Sequence, residues 1–195
     1  LVEKPLTASV KEAEDLVRIA REKNLILMVD HTFEYSPAIT KVKQIIESRE
    51  LGDIYYIKTE WLNLGLLQPN VNVVWDLATH IISIIHYITG LNPISVNATA
   101  KGCIRKEIQE ISQAHIKYSN NLSAYLTVSW LEPKKTRQMT IARSKKMLIY
   151  DLTNEEEPVK IYDKGINVIQ EATDVRPSKM EYRFGDIYSP HIKNA

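Results

Sequence analysis

A change of grammar at Gly52 constrains this chain more than any other feature. Before it, helix and strand patterns alternate; after it, short strand patterns follow one another with hairpin turns between them. Ser9-Val10-Lys11-Glu12 has the spacing of a capping box, and Ala13, Leu16, Val17 and Ala20 recur at helical intervals up to Lys23-Asn24. Leu25 to Val29 is short and wholly apolar, the pattern of a strand buried on both faces of a parallel sheet. Pro37 opens a second helix with Ala38, Val42, Ile45 and Ile46 on its inner side, and Leu51-Gly52 closes it. The first residues read as the end of a strand turning at Pro5. Residues 1–50 are therefore expected to be the last part of a doubly wound α/β domain whose earlier strands lie upstream.

Beyond Gly52, strands are predicted at 54–61, 94–100, 114–118, 122–131, 138–142, 147–150 and 159–162, with Asn120-Asn121 and Ser144-Lys145 at hairpin turns. The predicted fold is α/β plus α+β: an open, mainly antiparallel sheet over residues 51–195 with helices on one face. Tyr125, Thr127 and Ser129 alternate with Ala124, Leu126 and Val128, so the second face is not simply polar; it suits a subunit interface, or cover by a loop or the chain's own tail. Lys plus Arg at 25 against Asp plus Glu at 24 leaves no global field to recruit nucleic acid or an anionic membrane. A single cysteine, Cys103, excludes an internal disulfide framework and a zinc site of several thiolates, and suits a reducing compartment. No apolar run approaches the ~18 residues of a membrane span, and a cytoplasmic location is expected.

Chemistry concentrates in a third helix. Leu77, Ile81, Ile84, Ile85 and Ile88 form its apolar stripe, with Gly90 and Pro93 as the stop, while Asp76, His80, Ser83 and Tyr87 lie on another. A carboxylate and an imidazole at i and i+4 share a face, which allows proton transfer or merely a hydrogen bond that steadies the helix. Lys4, in Glu3-Lys4-Pro5, ends the first strand at the rim where open α/β sheets place ligands, and Asp30-His31 ends the second at the same rim. A lysine there can bind a hydroxyl and favour a developing alkoxide, or be a surface lysine in a turn. Trp61, Trp75 and Tyr35 are candidates for stacking on a sugar or base, or for ordinary packing. Lys134, Lys135, Arg137, Arg143, Lys145 and Lys146 crowd two turns, as a diphosphate site or as solvated hairpin ends.

Glu3-Lys4-Pro5, the aromatic-rich loop from Val29 to Ala38, Leu51-Gly52-Asp53-Ile54 and Asp76-Leu77-Ala78-Thr79-His80 together resemble the glucose-fructose oxidoreductase/inositol dehydrogenase (Gfo/Idh/MocA) family, in order from residue 1 to about 165. Trp75-Asp76-Leu77-Ala78 with His80, and Ile161 to Gly165, look most like the nucleotide-sugar 3-dehydrogenases. The resemblance implies the end of a Rossmann domain, NAD or NADP as cofactor, a sugar or nucleotide-sugar substrate, and a homo-oligomer formed through the open sheet face. It implies cofactor contacts from Glu3, Lys4, Pro5 (a turn in cis) and His31, substrate contacts from Tyr35 and Trp75, and catalysis by Lys4, Asp76 and His80, with His80 as acid/base. The glycine-rich dinucleotide loop is absent from these residues, so the fragment alone is expected to be inactive. Two rivals remain: a metal-dependent hydrolase using Asp76, His80 and His31, and a catalytically silent binding or oligomerising module of the same fold.

Overall fold

The computed structural model describes residues 1–171, 173 and 178–192; the last residues of the expected second domain, 193–195, lie outside the described residues. Three α-helices are present: α1 (Val10–Glu22), α2 (Pro37–Glu47) and α3 (Thr79–Thr89). Ser9 caps α1, its Oγ accepting the Glu12 amide, and Pro37 opens α2 at a position where a missing N–H costs nothing. Gly90 ends α3 at φ 67°, a left-handed turn that a residue without a Cβ adopts freely.

The strands are β1 (Ile54–Leu64), β2 (Pro93–Lys101), β3 (Ile111–Tyr118), β4 (Ser123–Ser129), β5 (Leu131–Arg143), β6 (Met147–Asp151), β7 (Val159–Gln170) and β8 (Lys179–Tyr188). They form one eight-stranded sheet in the order β2-β3-β4-β1-β5-β6-β7-β8. Every neighbouring pair is antiparallel except β1 and β4, which run parallel. The hairpin β3–β4 closes through the three-residue turn Ser119–Asn121, in which Asn120 and Asn121 take positive φ, a conformation that asparagine tolerates.

Ile57, Thr59 and Trp61 of β1 lie beside Ala124, Leu126 and Val128 of β4, and Ile57 and Thr59 also beside Ile141 and Met139 of β5. All of these are buried, and they face the helices. Ala38, Ile39, Val42 and Ile45 of α2 join Ile81, Ile84, Ile85 and Ile88 of α3 in the same core. The five-residue apolar stripe read from the third helix is buried throughout. Tyr56, Tyr125 and His115 lie on the opposite face, with the His115 and Tyr125 rings stacked at 4.7 Å and Tyr56 edge-on to Tyr125 at 6.2 Å.

Several expectations change. The predicted strand 122–131 is two strands separated at Trp130, and β4 and β5 do not pair, because β1 sits between them. Hairpin grammar assumes that neighbours in sequence are neighbours in the sheet, and this insertion breaks it. The strand over 138–142 runs from Leu131, β7 runs on to Gln170, and β8 had no prediction. At the N-terminus the predicted parallel strands make a single bridge, Val2 to Val29, and Ile26 is 95% exposed. Two short segments with no third strand beside them cannot bury both faces.

Arg143 departs from the reading of the basic cluster as solvated. It is buried, and its guanidinium donates to the carbonyls of Ile45 and Ile46 at the end of α2 and to Gly52 O. The last-turn carbonyls of α2 also accept Ser48 Oγ (Ile45 O) and Arg49 N (Ile46 O), and Arg143 adds a donor from the sheet, so one side chain ties α2 to β5. Arg143→Met should lower the unfolding free energy by about 2 kcal/mol, because this tie is lost and Gly52 O loses its side-chain donor. Urea denaturation checks this, and a loss under ~0.5 kcal/mol would mean that the carbonyls find other donors.

Candidate active site

Asp76 does not sit in an ordinary helical turn. Residues 74–78 form a π-helical turn that runs straight into α3, the wide-turn geometry that re-aims side chains at functional sites. The preceding Asn-rich loop sets it up: Asn72 Oδ1 accepts the amides of Val74 and Trp75 at 3.1 and 3.2 Å. Asn72 is itself held by Gln109, its Nδ2 donating to Gln109 Oε1 at 3.1 Å, while Val73 N donates to Gln109 O at 3.0 Å.

Lys4 reaches this turn from the other end of the chain. Its Nζ donates to Asp76 Oδ1 at 2.8 Å and to the Asp76 carbonyl at 2.7 Å, with both side chains only about a fifth exposed, and the Lys4-Pro5 bond is cis. The other carboxylate oxygen, Asp76 Oδ2, accepts the indole N–H of Trp130 at 3.0 Å. Both oxygens are therefore engaged, and Asp76 makes no hydrogen bond to His80. The i,i+4 pair is a neighbouring charge and imidazole rather than a hydrogen-bonded couple.

His80 stands in an aromatic box. Phe33, on the 3₁₀ turn at Thr32–Tyr35, meets its ring edge-on at 5.0 Å, and Trp61 lies tilted against it at 5.4 Å. Arg137, next to Trp61 across β1 and β5, places its guanidinium 5.0 Å from the Trp61 ring centre. Burial, then the Lys4 charge, lower the His80 pKa to about 4; Asp76 opposes them, and His31 and Arg137 add to the lowering. At neutral pH the His80 imidazole is therefore held uncharged. Its Nδ1 and that of His31 are both buried without a hydrogen-bond partner among the described residues.

Of the candidates, Lys4, Asp76, His80 and His31 come together, and Glu3 and Pro5 follow as chain neighbours of Lys4. Tyr35 does not come to the cluster: it is 69% exposed and lines a cavity of about 690 Å³ with Lys41, Gln44 and His191. Its place against His80 is taken by Phe33, two residues earlier in the same 3₁₀ turn. Trp75 also points elsewhere, into a hollow of about 630 Å³ against Val10, Ala13 and Val17 of α1. Trp130, which lies within the predicted strand 122–131 and was not among the candidates, is the indole that touches Asp76. Its alternation with Val128 continues unbroken, so no local signal marked it. Arg137 was visible only as one member of a basic cluster.

Among the described residues no three histidine, cysteine, aspartate or glutamate side chains gather as a metal site, and the Asp76 carboxylate faces an ammonium group, a poor neighbour for a cation. No helix among them is long and apolar enough to cross a membrane.

A rim lysine beneath a strand–helix–strand unit, meeting an aspartate and a histidine over an open sheet, defines a class. Residues 1–31 match the profile described as the oxidoreductase family with an NAD-binding Rossmann fold, which agrees with the nicotinamide cofactor implied by the sequence. Residues 39–149 match the GFO/IDH/MocA C-terminal domain, and the chain belongs to the GFO/IDH/MocA family of oxidoreductases. UDP-N-acetylglucosamine 3-dehydrogenase of Acidithiobacillus ferrooxidans is 24% identical over all of this chain, which spans 60% of that protein's length. Levoglucosan dehydrogenase of Pseudarthrobacter phenanthrenivorans is 26% identical over 46% of the chain and 26% of its own length. In three dimensions the chain is similar to the Acidithiobacillus enzyme (TM-score 0.67, 24% identity, 97% of this chain and 57% of that one). It is also similar to an oxidoreductase domain protein from Kribbella flavida (TM-score 0.73, 15% identity, 94% and 55%). These likenesses show the fold.

The His80 environment yields a direct test. A neutral imidazole is favoured in the folded chain, so the unfolded chain takes up a proton first as pH falls. The stability contributed by this group is complete above about pH 6.5 and is lost progressively down to about 4. Histidine NMR should show His80 titrating near 4, and Lys4→Met should move the midpoint upward by removing a repelling charge. A midpoint at the ordinary histidine value in the wild-type chain would contradict the buried placement.

Proposed function

We propose that this chain supplies the substrate half of a dehydrogenase that oxidises a sugar or nucleotide-sugar hydroxyl at the expense of NAD or NADP. The observation that carries the reading is the convergence of Lys4, Asp76 and His80 from segments 72 residues apart. On this reading residues 1–50 serve the cofactor side, and residues 51–195 serve the substrate and self-association.

The two unpartnered imidazole nitrogens, His31 Nδ1 and His80 Nδ1, beside the Lys4 ammonium fit a polar ligand of the nicotinamide riboside kind. Glu3, Lys4, Pro5 and His31 would hold that end. The bound cofactor supplies the hydride acceptor. The chain's own residues then handle the proton. His80, neutral at physiological pH, takes the proton from the reacting hydroxyl, and the nearby Asp76 charge offsets the cost of the resulting imidazolium. The Lys4 ammonium stabilises negative charge developing on the hydroxyl oxygen, which lets a weak base suffice. Asp76 acts as the fixed anion that orients Lys4, since both of its oxygens are engaged. Phe33 and Trp61 exclude water from the imidazole.

The nucleotide-sugar reading is favoured over a free sugar because the relative aligned over the whole chain acts on UDP-N-acetylglucosamine. In a protein carrying the complete dinucleotide-binding domain, His80→Ala should lower kcat by ~100-fold or more, and Lys4→Met by a similar amount, in assays of NAD(P) reduction with UDP-N-acetylglucosamine and with free sugars. Unchanged turnover in His80→Ala would remove it from the mechanism.

The open sheet face is the proposed self-association surface, supported by the partly exposed Tyr56 and Tyr125 stacked with His115 across adjoining strands. Tyr125→Lys should shift the protein to monomer in light scattering, and an unaltered assembly would place the interface elsewhere.

A further inference from the structure

The strongest unassigned feature is the turn joining β2 to β3, residues 102–110, and its hold on Asp76. Glu110 has no solvent exposure, and its carboxylate accepts the amides of Cys103 at 2.6 Å, Ile104 at 2.8 Å and Arg105 at 3.1 Å, together with Arg105 Nε at 3.2 Å. These donors, led by the Ile104 amide, hold it as a carboxylate far below its ordinary range. A buried charge with four donors makes the turn rigid, and that rigidity reaches Asp76 by two routes.

The first route is through the backbone. Gln109 grips Asn72 and Val73, and Asn72 caps the π turn on which Asp76 sits. The second is through the carboxylate. Trp130 N donates to Glu110 O at 2.9 Å, Gly65 N donates to Trp130 O at 3.0 Å, and the Arg105 guanidinium lies 5.9 Å from the Trp130 ring centre. A Cβ at Gly65 would stand 2.6 Å from Asn63 Nδ2 and 3.0 Å from Trp130 Cδ1, so a larger residue here would press on the indole. The indole, 1% exposed and able only to donate, delivers its N–H to Asp76 Oδ2.

We propose that Trp130, braced by the Glu110 turn, is a positioning residue that fixes the Asp76 carboxylate and so sets the charge field in which Lys4 and His80 work. This rests on the dehydrogenase reading for its consequence in turnover, though not for its geometry. An aspartate χ2 torsion is broad when only one oxygen is held. Holding Oδ1 with Lys4 and Oδ2 with the indole removes that freedom, and holding the backbone of the same residue's turn removes the rest.

The test uses two readouts independent of turnover and one that depends on it. In ¹H–¹⁵N spectra, Asp76→Asn should shift the indole signal of Trp130 while those of Trp61 and Trp75 stay in place. Trp130→Phe, which keeps an aromatic ring and deletes the donor, should move the His80 titration midpoint by about half a pH unit or more. It should also lower kcat about tenfold, the worth of one hydrogen bond to a charge, with KM changed less than about threefold. Glu110→Gln should reproduce the titration change more weakly. A stationary Trp130 indole signal in Asp76→Asn, or a folded Trp130→Phe protein with His80 titrating as in wild type, overturns the proposal. Turnover is read in a protein carrying the complete dinucleotide-binding domain; its absence there on every sugar would count against the dehydrogenase reading alone, because the indole and titration measurements still decide the positioning.

Discussion

The ion pair between Lys4 and Asp76 is the contact on which the site depends, because among the described residues it alone joins by hydrogen bond the N-terminal segment that carries Lys4 to the helix that carries His80. Its energy is not the point. A half-buried pair offsets much of its Coulomb gain by desolvation, so its value lies in specifying an arrangement. The ammonium also touches the Asp76 carbonyl, which fixes where Lys4 lies along the π turn as well as how far away it is. With Lys4 so placed, the field at His80 contains a cation and an anion at once, and the imidazole's proton affinity is the balance of the two under a large desolvation cost.

The sheet domain serves this arrangement by presenting a flat, rigid wall. Ile57, Thr59 and Trp61 face the helices from the strand at the centre of the sheet order, and α2 and α3 seal them with branched aliphatic side chains. Trp61 is both core and candidate site: it packs with the sheet interior and lies against the His80 imidazole, so disturbing the wall would reach that imidazole directly. Arg143 gives the same wall a hydrogen-bonded tie to the end of α2.

Much of this was legible in the residues. The apolar stripe of α3, its glycine stop, the Asn-Asn turn and the convergence of Lys4 with Asp76 all follow from spacing or from family resemblance. What escaped did so for identifiable reasons. Tyr35 and Phe33 sit two residues apart in one aromatic loop, and only the phase of a 3₁₀ turn decides which one faces His80. Trp75 and Asp76 are chain neighbours, and a helix sends neighbours about 100° apart, so the tryptophan beside the aspartate in sequence is not the one beside it in space. Trp130 is brought there by a strand order that no local pattern encodes. The depressed proton affinity of His80 required knowing Phe33 and Trp61 as its walls.

That strand order has a consequence for how the molecule is made. Residues 54–64 leave the ribosome before both of their hydrogen-bonding neighbours, 123–129 and 131–143, which come tens of residues later. Through that interval the segment bearing Trp61 has no lateral partner and offers two bare backbone edges. Closure of the interior must wait for a distant piece of chain, a long-loop step of the kind that slows assembly and leaves nascent proteins open to chaperone capture.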